Sequence, residues 1–199
     1  CWEGDLGSIP VVVSRTGWTG EVGYEIYLRD GSRGSELWDR VMEAGEAHQI
    51  RAIAPSDQRR LEAGIFNYGN DMTVEDTPFH ISGMERLVEF EAEFIGKETL
   101  RRVAAEGVDR KLVGVTLTGG PFRRSLEDFW DVRRDGQVVG RLVSASHSFR
   151  LKENIGYAWV PIELAEPGTE LEVLSPDGPV AAVTAALAFL DPNKDMPGG

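Results

Sequence analysis

The stretch Ser14-Arg-Thr-Gly-Trp-Thr-Gly-Glu-Val-Gly-Tyr-Glu-Ile26 organises the whole chain around it. Glycines at 17, 20 and 23 crowd one connection, where they permit a positive φ or a close backbone approach. Upstream, Ile9-Pro-Val-Val-Val-Ser-Arg15 is a β-branched run that reads as a strand. Downstream, Tyr24 to Leu28 alternates. Tyr24, Ile26 and Leu28 take one face; Glu25 and Tyr27 take the other. The stretch therefore predicts a β-hairpin with a long, glycine-bearing tip. Two explanations of the tip stand side by side: glycine is needed to turn, or the tip is opened for a ligand. Trp18 between glycines can stack on a planar ring. Glu25 can accept two hydrogen bonds at once from adjacent N–H groups.

Working outward, the spacing predicts a helix over Ser35 to His48, with Leu37, Trp38, Val41 and Met42 as its apolar stripe. A second helix is expected from Ser56 to Phe66, begun by Pro55-Ser56 and closed by the turn Asn67-Tyr-Gly-Asn-Asp71. A short strand is expected over Leu87–Phe90 and a third helix over Lys97–Glu106, stopped by Gly107. Beyond it the texture changes. Six apolar runs follow: Leu112–Leu117, Trp130–Arg133, Val138–Val143, Ile155–Val160, Leu171–Leu174 and Val180–Leu190. Asp135-Gly136 between two of them is a tight-hairpin signal. This is the pattern of a small all-β barrel or sandwich.

Composition narrows the function. The 199 residues carry 33 acidic and 21 basic side chains, a formal charge of -12. A nucleic-acid partner is not expected, because phosphate binding needs a basic stripe. The arginine pairs 59–60, 101–102, 123–124 and 133–134 have acidic neighbours and read as solvated or ion-paired faces. No apolar run approaches the ~20 residues of a membrane span, so no membrane partner is expected. A single cysteine excludes an internal disulfide and a cysteine-based zinc site. A reducing, cytoplasmic location is the expectation. The sequence holds no phosphate loop, nucleophile elbow or His-Glu-x-x-His motif. His48, His80 and His147 are far apart, and no metal is expected.

The hairpin stretch resembles the Ser-Arg-Thr-Gly-Tyr-Thr-Gly-Glu-x-Gly-Tyr/Phe-Glu-Ile signature of the glycine-cleavage T-protein family, the tetrahydrofolate-dependent aminomethyltransferases. Arg60-Leu-Glu-Ala-Gly64 with Tyr68-Gly-Asn-Asp71, Phe94-Ile-Gly-Lys-Glu98, Gly140-Arg-Leu-Val-Ser-Ala145 and Asn154-Ile-Gly-Tyr-Ala-Trp-Val160 resemble further family segments. The matches run in order from about residue 9 to 175.

The resemblance implies an α+β fold. Residues 1–71 would form part of a ferredoxin-like, folate-binding domain. Residues 72–110 would pack on an N-terminal domain, 111–192 would be a C-terminal β-barrel, and 193–199 a tail. Family chains are nearly twice this long, so the chain, which begins at Cys1, reads as the C-terminal portion of a larger enzyme. The family's catalytic aspartate would lie in the other half, so no catalytic residue is named and the fragment alone is expected to be inactive.

The resemblance also assigns binding roles. The family's pterin-binding glutamate matches Glu25, and its aromatic wall matches Trp18. One position departs. Where the glycine-cleavage enzymes have arginine in Gly-Ala-Arg-Asp, this chain has Ser56 in Ala54-Pro-Ser-Asp57. A fixed guanidinium and a short hydroxyl are not interchangeable. Arg60 matches a structural position and receives no ligand role. Trp18, Ser56 and the Asn70-to-Phe79 stretch resemble the demethylase branch, which includes dimethylsulfoniopropionate demethylase. The expected function is methyl transfer to N5 of tetrahydrofolate. The alternatives are a glycine-cleavage aminomethyltransferase, which would meet a lipoyl carrier protein, and a non-catalytic folate-binding regulator. The partner of the transferases would be a small methyl or aminomethyl donor.

Overall fold

A computed structural model describes residues 1–122, 126 and 128–192. The Arg123-Arg124 pair and the tail from 193 lie outside the described residues. The chain divides into two compact units, Cys1–Ser56 and a second that begins at Asp57.

The first unit is a three-stranded antiparallel sheet with one helix. Its strands are β1 (Trp2–Leu6), β2 (Ile9–Ser14) and β3 (Glu25–Leu28), in that order. Leu6 faces Ile9 and Trp2 faces Val13; Val11 faces Leu28 and Ser14 faces Glu25. Ile9 and Val11 are fully buried. Strand β1 is an addition to the predicted hairpin. Gly4 leaves a gap in its apolar face, and Glu3 and Asp5 are poor strand formers, so its pattern is faint. Helix α1 (Gly34–Gly45) follows a short turn in which the Asp30 carboxylate accepts from the Ser32 amide at 3.0 Å and its hydroxyl at 2.6 Å. Arg33 ties this helical start to the sheet, donating to the Ser8 carbonyl at 2.5 Å while pairing with Glu36 at 2.8 Å.

The second unit is a closed six-stranded barrel with outer elements. Helix α2 (Asp57–Glu62) opens it, α3 (Lys97–Glu106) follows, and the strands are β4 (Arg110–Leu117), β5 (Trp130–Arg134), β6 (Gln137–Ser148), β7 (Glu153–Pro161), β8 (Glu170–Ser175) and β9 (Gly178–Ala185). Their order is β4-β7-β6-β5-β8-β9, and β9 returns to β4. Each of the six predicted runs holds a strand, although the last strand ends at Ala185, short of the expected Leu190. Asp135 and Gly136 both have positive φ, 50° and 77°, as a tight hairpin between right-twisted strands requires.

Strands β4, β6 and β7 are apolar on both faces. Val113, Val115, Leu142, Ala158 and Val160 fill the interior. Leu112, Val143, Ile155, Tyr157 and Trp159 form an outer core with Leu61 and Ile81. That double burial explains the seven successive buried residues in β7. Ile81 bridges to Leu112, so part of the 72–96 segment lies along β4.

Two local expectations are corrected. Helix α2 ends at Glu62, not Phe66. Gly64 takes φ +72°; its amide bonds the Leu61 carbonyl at 3.1 Å, and the Ile65 amide bonds Arg60 at 2.8 Å. This paired closure is a glycine C-terminal cap. Residues 87–90 form no strand: a 3-10 turn at Glu85–Leu87 occupies the start, and Leu87 is exposed. Without a strand beside it, an apolar run has no ladder to join.

Candidate functional site

Glu25 is the first residue of β3 and is exposed. Pairing with Ser14 puts it where the glycine-rich connection rejoins the sheet. One carboxylate oxygen, Oε2, accepts a hydrogen bond from the Tyr27 hydroxyl at 3.0 Å and another from the Thr16 hydroxyl. Tyr27 lies two residues along the same strand and so on the same face. The sequence alternation placed Tyr27 beside Glu25, but gave no sign of Thr16. Oε1 receives no hydrogen bond from the described residues.

The connection itself separates the two explanations of its glycines. Gly20 has φ +71°, which only glycine adopts without strain. Gly17 differs: its φ is not in the left-handed region, and an added Cβ would meet nothing within 4 Å. At Gly23 the nearest atom would be the Glu21 carbonyl oxygen at 3.9 Å. Turning demands one of the three glycines, and the other two leave open space. Trp18, between Gly17 and Thr19, is 36% exposed. An aromatic face, an open backbone and an exposed carboxylate thus belong to one connection. Together they suit a flat ligand with N–H groups along one edge. Ser56 is half-buried and is the last residue of the same unit.

A second polar cluster lies in the barrel unit. Arg60 is 2% exposed. Its Nε donates to Asp57 at 2.6 Å, Nη1 to Asp71 at 2.6 Å and Nη2 to Ser144 at 2.8 Å. Burial opposes its charge, but the Asp57 hydrogen bond and the Asp71 charge outweigh that and hold the guanidinium above its ordinary value. The arginine pair 59–60 is thus only half a surface feature: Arg60 is ion-paired inside. A cavity of about 110 Å³ beside it is lined by Asp57, Asn67, Asn70 and Ser144, among others. With its carboxylates and guanidinium committed to each other, this cluster binds α2 to β6.

Residues 1–92 match the family model described as the GCVT N-terminal domain, and residues 110–191 match the glycine cleavage T-protein C-terminal barrel domain. The dimethylsulfoniopropionate demethylase of Ruegeria pomeroyi is 35% identical over 170 residues, covering 85% of this chain and 46% of that protein. An aminomethyltransferase of Thermoanaerobacter pseudethanolicus is 34% identical over 191 residues, covering 94% of this chain and 50% of that one. The crystal structure of glycine cleavage system aminomethyltransferase T from Bartonella henselae has a similar fold, with TM-score 0.76 and 24% identity over 90% of this chain and 50% of that chain. The chain spans about half the length of these relatives.

Proposed function

Because the chain belongs to the glycine cleavage T-protein family, we propose that it carries the pterin-binding part of a tetrahydrofolate-dependent one-carbon transferase. The observation that carries this is the exposed Glu25 carboxylate beside the open glycines of the Trp18 connection. A pterin edge presents a ring N–H and an exocyclic amine side by side, which a carboxylate receives as a pair. The indole of Trp18 would wall the ring, and Ser56 would line the same site.

Tetrahydrofolate supplies the accepting N5 lone pair when bound. The chain's own contribution is positional. Glu25 fixes the edge of the ring, Trp18 fixes its plane, and the two together orient the acceptor and exclude water from one side. In-line transfer of a methyl group from an activated heteroatom needs such alignment more than it needs acid or base chemistry from this half.

Within that class we favour a demethylase that moves a methyl group onto tetrahydrofolate. Its support is Ser56, which stands where the glycine-cleavage enzymes have arginine. The second reading is an aminomethyltransferase that works with a lipoyl carrier protein. Its support is the run of aminomethyltransferases from 32% to 36% identical to this chain. The tests are direct. Glu25→Ala in the complete protein is expected to weaken tetrahydrofolate binding by calorimetry; unchanged affinity removes the pterin assignment. Product analysis then separates 5-methyl from 5,10-methylene tetrahydrofolate.

A further inference from the structure

We propose that Thr16 and Tyr27 are positioning residues, which hold the Glu25 carboxylate by one oxygen and turn the other toward the ligand. This rests on the reading of Glu25 as the pterin ligand and goes one step beyond it. An exposed glutamate has three rotatable bonds and normally samples many orientations, all but one of which binding must remove. Here two hydroxyls converge on the same atom, Oε2. They arrive from different places. Tyr27 is on Glu25's own strand, and Thr16 is in the glycine-rich connection. The carboxylate is therefore tied to its strand and to the loop that carries Trp18 at the same time.

The consequence is directional. A carboxylate offers about four lone-pair sites. The two hydroxyls take theirs on Oε2, and Oε1 remains without a donor among the described residues. Both hydroxyls donate to Oε2, so the lone pairs of Oε1 are what the side chain presents to the ligand. A ring edge with two N–H groups can be received by the two open lone pairs of Oε1. A ring edge with an acceptor in place of the exocyclic amine would meet lone pairs and be rejected. Preorganisation and selectivity thus come from two residues that need not touch the pterin.

The test is calorimetry with tetrahydrofolate on the complete protein, using Tyr27→Phe, Thr16→Val, Thr16→Ser and Glu25→Gln. Tyr27→Phe and Thr16→Val are each expected to weaken binding by roughly 5- to 10-fold, the scale of one net hydrogen bond. Thr16→Ser, which keeps the hydroxyl, should stay within about twofold of the parent on the same scale. In a Glu25→Gln background, Tyr27→Phe should cost nothing further, because the group it positions is gone. Melting curves separate a lost fold from a lost clamp, and the Thr16→Ser and Thr16→Val pair keeps the test readable if Tyr27→Phe unfolds. If Glu25→Gln weakens binding while the hydroxyl variants match the parent, the clamp is wrong and the pterin reading stands. If Glu25→Gln binds as tightly as the parent, the pterin reading falls and the clamp with it.

Discussion

Arg60 and Asp71 meet at 2.6 Å with 3% and 0% of their side chains exposed, a fully enclosed ion pair between α2 and the turn that follows it. Asp71 also accepts from the Asn67 amide at 2.7 Å and the Ser144 hydroxyl at 2.5 Å. Removing Arg60 leaves Asp71 buried without a counter-ion, and removing Asp71 leaves the buried Arg60 with Asp57 but without its enclosed partner. Asp71→Ala should therefore destabilise the barrel unit by about 3–5 kcal/mol in urea denaturation. Arg60→Met added to Asp71→Ala should cost much less than Arg60→Met alone, because the orphaned charge is then gone. Additive losses would show that the two ions act independently.

The glycines of the Trp18 connection should part company under substitution. Gly20→Ala forces a side chain onto φ +71° and should cost about 1–2 kcal/mol of stability. Gly17→Ala places its methyl in open space and should leave stability within about 0.5 kcal/mol of the parent. The same methyl would narrow the approach to Trp18, so its effect should appear in tetrahydrofolate affinity. Denaturation and calorimetry on both variants read the two effects separately.

Tyr157 supplies a pH test. Its hydroxyl donates to the carbonyls of Leu61 at 3.2 Å and Ile65 at 3.3 Å. Burial raises its pKa well above the ordinary tyrosine value; the Arg60 charge opposes this and Asp71 adds to it. The folded state thus prefers the neutral phenol more than the unfolded state does. That preference is fully present below the unfolded value and is lost as pH rises above about 10. Stability should fall there, and Tyr157→Phe should fall less steeply. The variant should begin about 1 kcal/mol lower from the lost hydrogen bond. Parallel pH profiles would refute the assignment.

Gly64 ends α2 with φ +72°, and a Cβ there would lie 3.0 Å from the Ala188 methyl. Gly64→Ala should cost about 1–2 kcal/mol by combining left-handed strain with crowding. Thermal melting checks it, and a cost below 0.5 kcal/mol, the usual surface scatter, would mean that the loop carrying Ala188 yields.

Most of the barrel could be read from the chain because its signals are local. The six apolar runs, the Asp135-Gly136 turn and the α3 boundary at Gly107 each depend on a few neighbouring residues. What escaped depended on partners distant in sequence. Strand β1 exists through its register with β2, and its own residues say little. The burial of Arg60 follows from Ser144, 84 residues away. The stop at Gly64 was missed because the turn residues Asn67 to Asp71 offer a later end to the helix. At the candidate site, alternation set Tyr27 beside Glu25, but Thr16 reaches Glu25 only once the connection folds back. Side-chain hydrogen bonds across a loop leave no periodic trace.

The barrel's first strand also bonds to its last. Gly114 faces Ala185 and Leu117 faces Ala182, so the chain enters and leaves the barrel at the same end. A ring of strands closed in this way has no obligatory starting point. Joining the segment's two ends with a short linker and reopening the ring at the Asp135-Gly136 turn should give a circular permutant with the same barrel. The order in which its strands are synthesised is separable from the shape they make.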